Sequence, residues 1–207
     1  MFATNKFVDR SREDLIMISR AFYDLYKKKY EKENEKFLEK KKKINEKYNI
    51  KEIMEYLEIR PKFRCLDEYE AFNESQLCLP FKSTIDYINK IEYEQNPKSK
   101  FDTLIEAGLE LRNTILGCHG GKNELNSMDD ELPIFIYCTT QINIKNAPAE
   151  YHMIEDYLKY ASAELDESKV VTNVMSSITF ICNGWDINDN DDIKNEIERK
   201  NEDKDNE

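Results

Sequence analysis

Met128-Asp129-Asp130-Glu131-Leu132-Pro133-Ile134-Phe135-Ile136-Tyr137-Cys138 is the stretch on which the fold turns. Adjacent acids lead into a Leu-Pro step and then an unbroken apolar run. Propensity alone makes residues 134–138 a strand, because Ile, Phe and Tyr are enriched in strands. The proline argues for a helix instead: at a first helical turn it gives up an N–H that has no intrahelical partner anyway. Asp129 and Asp130 then stand at the mouth of that helix, where carboxylates favour the exposed N–H groups and the positive end of the dipole. On local grounds alone, the acidic pair reads as a helix cap.

Working outward, the rest of the chain supports helices. Only 5 Gly and 5 Pro stand against 35% charged residues, a composition suited to long regular elements with few tight turns. Ser11 followed by Asp14 resembles a capping box, and Leu15, Ile18, Phe22 and Leu25 recur at helical spacing, which predicts an amphipathic helix from about 11 to 29. Residues 27–48 carry ten lysines against five acids with only Phe37, Leu38 and Ile44 to bury, as in a solvated helix or loose connector. Ile50, Ile53, Met54 and Leu57 restore an apolar stripe. Ile85, Ile88 and Ile91 mark a short helix before Pro97, and a helix buried on several faces runs from Pro97 towards Gly117, its expected stop. An exposed loop from 118 to 128 follows. Further helices are expected around 148–161 and 169–182, and the composition beyond Trp185 is that of a disordered tail.

Charge and cysteine usage narrow the function. A net charge of -11 disfavours a nucleic-acid or anionic-membrane role, since both partners reward a positive face. No run approaches the roughly 20 apolar residues of a membrane span, and no secretory leader opens the sequence. Five scattered cysteines without a C-x-x-C pair suggest reduced thiols in a cytoplasmic protein. His119 and His152 stand far apart with no ligand spacing, so no metal and no cofactor is expected. Asp186-x-Asn188-x-Asn190 imitates a calcium loop but has Asp191 where the loop needs Gly, and Ile197 where it needs Glu. The lysines between 27 and 47 could attract anionic lipid, yet the interleaved glutamates favour a solvated helix.

Several landmarks carry a resemblance over about residues 20–183. Leu57-Glu58-Ile59, the passage from Ile85 to Phe101, Asp129-Asp130-x-Leu132-Pro133-x-x-x-Tyr137, and Thr172-Asn173 with Ser176, Ser177 and Ile181 fall in one order. This pattern is similar to the vacuolar protein sorting nine domain, the catalytic module of Rabex-like guanine nucleotide exchange factors for Rab-five-type GTPases. The resemblance implies an all-α layered bundle over residues 49–183, with an N-terminal helical region over 1–48 and an acidic tail over 184–207. It implies a partner, a Rab-five-type small GTPase in its GDP-bound or nucleotide-free form, and peripheral recruitment from the cytoplasm to endosomes.

By the same resemblance Asp129 is an acidic finger that reaches the GTPase nucleotide site, competing with phosphate for the P-loop lysine and disfavouring Mg²⁺. Asp130, Pro133, Tyr137, Lys169, Thr172 and Ser176 would form the GTPase-binding surface. Lys169 is a departure, since family members usually have Tyr there, and Leu165-Asp166-Glu167-Ser168 replaces a glycine-rich turn. Losing an aromatic anchor at an interface costs about 2 kcal/mol, enough to slow exchange or change the accepted GTPase. A GTPase-binding module with weak exchange, or a helical scaffold, are the alternative readings.

Overall fold

Capping residues and prolines set where the helices start. The computed structural model describes residues 17–65, 79–118, 125, 127–161 and 165–185. Its helices are α1 (17–29), α2 (Glu31–Lys47), α3 (Ile50–Tyr56), α4 (Lys82–Lys90), α5 (Pro97–Cys118), α6 (Met128–Gln141), α7 (Ala147–Leu158) and α8 (Leu165–Thr179). Short 3-10 turns at Pro61–Phe63 and Ile91–Tyr93 and a π-helical turn at Phe180–Gly184 complete the described elements. The chain is all-α, with no strand among the described residues. Ser11, Asp14, Leu15, the loop glycines Gly120 and Gly121, and the acidic tail lie outside them.

Asn49 and Glu52 form a reciprocal capping box at the start of α3. The same helix ends in a Schellman turn: Ile59 N–H reaches Met54 O at 3.0 Å and Glu58 N–H reaches Glu55 O at 2.9 Å. Glu58 occupies the left-handed position usually given to glycine, with φ 53°. Pro97 begins α5, and Pro148 lies in the first turn of α7.

The apolar run of α6 is helical because it is enclosed on every side. Ile134, Phe135, Ile136, Tyr137 and Cys138 are all buried, so no polar face interrupts the sequence pattern. α6 packs along α8, α5 along α4 and α7, and α8 on α7, which gives the layered bundle expected from the sequence. α5 and α8 meet closely at Gly108, where a Cβ would stand 2.7 Å from Val170 Cγ2.

Several expectations need correction. The stripe on α1 is not buried: Ile18 is 65% and Leu25 64% exposed. Its inward face is Ser19, Tyr23, Tyr26 and Tyr30, at i, i+4, i+7 and i+11. Gly117 lies one residue before Cys118, the last described residue of α5. α2 is neither loose nor merely solvated. Phe37 and Ile44 are fully buried, Lys41 donates to Ile142 O, and Asn45 donates to Thr140 O at 2.8 Å. These side chains satisfy carbonyls at the end of α6 that no helical N–H can reach. Burial lowers the Lys41 pKa.

Candidate functional site

The first turn of α6 concentrates three consecutive acids, Asp129, Asp130 and Glu131, over the helix N-terminus. Each has a different environment. Asp130 pairs with Arg60 and accepts a hydrogen bond from Ser127 Oγ at 3.2 Å. Glu131 turns inward: it is 7% exposed, receives Arg112 Nε from α5 at 3.1 Å, and receives Asn173 Nδ2 from α8 at 3.4 Å. Asp129 is exposed, and no ion pair or hydrogen bond engages its carboxylate among the described residues. The turn therefore anchors two of its acids in the protein and presents the third to solvent.

Pro133 sits inside the helix, because α6 begins at Met128. The sequence reading placed it in the first turn, where it would forfeit nothing. One turn later, its absent N–H is the one that would have bonded to the carbonyl of Asp129. The first turn is held instead through Ser127 O, which accepts from Asp130 N at 3.2 Å and from Glu131 N at 3.4 Å.

Asp129 shares a face of α6 with Leu132 and Ile136, at i, i+3 and i+7. Those two residues form one wall of an open groove of about 840 Å³, and α8 forms the facing wall through Thr172, Met175 and Ser176. Phe180 and Leu158 extend its apolar lining, while His152, Glu155 and Lys159 of α7 supply a polar side. Thr172 is exposed, with its hydroxyl donating to Ser168 O of its own helix at 2.9 Å. Lys169 is half-buried on the preceding turn of α8.

Thus Thr172 and Ser176 line the groove, and Asp129 lies one helical turn before Leu132 on the same face of α6. Tyr137 it places elsewhere. That ring is fully buried, with its hydroxyl 3.4 Å from Pro80 O and its edge against Phe81, so a partner on the surface does not reach it. The expected contact role of Tyr137 is replaced by one in the core beneath α6.

Sequence reading missed Arg60 and Arg112 and gave Glu131 and Asn173 no role in fixing the acidic turn, because their pairings join distant segments. It also missed the α7 side of the groove. There His152 stacks on Tyr30 at 3.8 Å and lies 3.2 Å from both Glu33 and Glu155. Among the described residues no group of His, Cys, Asp or Glu could hold a metal ion, and no helix is long and apolar enough to cross a membrane.

A model of the vacuolar sorting protein 9 (VPS9) domain matches residues 81–184. That span begins just before α4, ends with the π-helical turn, and contains the acidic turn and both walls of the groove. No curated protein and no solved structure matches the chain.

Proposed function

Since the chain belongs to the vacuolar sorting protein 9 (VPS9) domain family, whose members act as exchange factors on small GTPases, we propose that it promotes GDP release from a Rab-five-type GTPase through Asp129. The observation that carries this reading is the asymmetry of the acidic turn. Asp130 and Glu131 are committed to Arg60 and Arg112, and Asp129 is exposed with no partner among the described residues, one helical turn before Leu132 of the groove wall.

In a P-loop GTPase the nucleotide is held largely by a lysine and Mg²⁺ that neutralise its phosphates. A carboxylate delivered to that lysine takes over part of this interaction and stabilises the emptied site. The exchange factor forms no covalent bond; it lowers the free energy of the nucleotide-free complex. Leu132, Ile136 and Met175 would bury apolar side chains of the GTPase switch segments, while Thr172 and Ser176 meet their polar groups. The protein would act in endosomal trafficking, recruited peripherally from the cytoplasm.

A second reading follows from Lys169. This residue replaces the aromatic side chain that relatives present on α8, which favours a GTPase-binding module with slow exchange. Release of a fluorescent guanine nucleotide from a panel of Rab-five-type GTPases separates the two. Acceleration that Asp129→Ala abolishes supports exchange, and binding to nucleotide-free GTPase without faster release supports the second reading. No acceleration and no binding across the panel would falsify both.

A further inference from the structure

Helix α1 faces the wrong way for a surface helix of a free-standing protein. Its inward row is polar or aromatic: Ser19 donates to Gln95 O, Tyr23 is half-buried near Glu150, Tyr26 donates to Asp156 at 2.6 Å, and Tyr30 stacks on His152. The aliphatic row points away from the bundle, with Met17 62%, Ile18 65%, Phe22 50% and Leu25 64% exposed. A contiguous outward apolar row on an otherwise well-anchored helix marks a surface that something covers.

The chemistry of the cover is written at the end of the row. Continuing the spacing of Ile18, Phe22 and Leu25 leads to Lys29, with Lys28 flanking it, and Lys32 follows in the first turn of α2. All three lysines are exposed. Lys27, on another face, is already paired with Asp24 at 2.6 Å. Lys29 lies over the Tyr26 and Tyr30 rings, 5.7 and 4.7 Å from their centroids, and stays exposed beside Lys28 and Lys32. An apolar stripe running into exposed cations is the pattern of a helix that lies in the headgroup plane of an anionic bilayer. A second copy of the chain fits less well. The row gives way to lysines at its C-terminal end, and a parallel pair would bring those lysines together. The net charge of -11 does not oppose local docking, because screening confines each charge to about 8 Å at physiological salt.

We propose that the outward face of α1 docks on anionic membrane, with Ile18, Phe22 and Leu25 entering the boundary of the acyl chains and Lys28, Lys29 and Lys32 meeting the headgroups. This surface is independent of the groove and of any GTPase. Tyr26 and Tyr30 join α1 to α7, one side of the groove, so docking holds the groove in a fixed orientation to the bilayer.

Sedimentation of the full chain with phosphatidylcholine vesicles, with and without phosphatidylserine, tests this. Binding is expected only to the serine-containing vesicles and should weaken as salt rises. Lys28→Gln with Lys29→Gln lowers the partition about 25-fold, taking roughly fivefold for each cation removed. Ile18→Ser/Phe22→Ser/Leu25→Ser abolishes binding and leaves the thermal melt unchanged, since these side chains face solvent. Absence of sedimentation, or equal binding to neutral vesicles, overturns the proposal. So does a dimer in light scattering that the triple variant dissolves, which assigns the face to a second copy. A triple variant that melts early also overturns it, because the face is then already covered within the free chain.

Discussion

Glu131→Ala should destabilise the protein by about 3 kcal/mol, although it lies two residues from Asp129, whose removal costs almost nothing. The carboxylate accepts from Arg112 Nε at 3.1 Å and Asn173 Nδ2 at 3.4 Å, and its side chain is 9% exposed. Breaking a buried ion pair from one side costs about 3–5 kcal/mol. The Arg112 side chain keeps 26% exposure, so water recovers part of that and about 2 kcal/mol remains. Asn173 adds about 1 kcal/mol: it is fully buried, its Oδ1 already lacks a partner, and the substitution leaves its Nδ2 unmatched as well. With a urea slope of about 2 kcal/mol/M, the unfolding midpoint falls by about 1.5 M. Asp129→Ala, which removes an exposed and unpaired side chain, shifts stability by less than about 0.5 kcal/mol. Urea denaturation followed by circular dichroism reads both, and a cycle with Arg112→Ala isolates the pair, for which a coupling of about 1 kcal/mol or more is expected. Equal midpoints for Glu131→Ala and Asp129→Ala, or a coupling near zero, would refute the reasoning that one acid of this turn anchors it while another is free to act.

Two further substitutions examine the scaffold. Glu58→Gly should stabilise by about 0.5–1 kcal/mol in the same urea assay, because relief of the left-handed backbone at φ 53° exceeds the added freedom of the unfolded chain. Lys100→Met should cost about 3–5 kcal/mol near neutral pH, since it strands Glu150, which is fully buried and 2.7 Å from the lysine nitrogen. Burial already raises the Glu150 pKa above the usual carboxylate range. In the variant the native state therefore holds a proton at pH values where the unfolded chain has released it, and the penalty shrinks as pH is lowered towards the unfolded carboxylate range. Urea midpoints of wild type and variant across mildly acidic to neutral buffer measure this, and a pH-independent gap would exclude a lone carboxylate as its cause.

The parts of the fold that the sequence foretold are those decided by local chemistry. Pro97, Pro148 and the apolar spacing of 50–57 and 85–91 announce helices because caps, proline and periodicity act over a few residues. The acidic turn and the Thr172–Ser176 row were legible through their order along the chain. What stayed hidden depends on contacts across many residues. Nothing near Glu131 indicates that Arg112 and Asn173 enclose it, and nothing near Tyr137 indicates that Pro80 and Phe81 cover it. The stripe of α1 misled for a related reason: periodicity locates an apolar face but does not say which face the bundle takes. Ser19, Tyr23, Tyr26 and Tyr30 repeat at the same helical spacing, and that polar row was the overlooked signal.

Gly108 gives the groove a remote control on its width. It touches Val170 on the side of α8 opposite Thr172, where any added carbon must push against a branched, stiff side chain. If α8 shifted as a rod away from α5, Thr172 and Ser176 would move with it, and the groove would change width without a change in any residue that lines it. Were the groove to seat a GTPase, selectivity among rival partners would then be open to retuning from behind the wall, by a single change at Gly108.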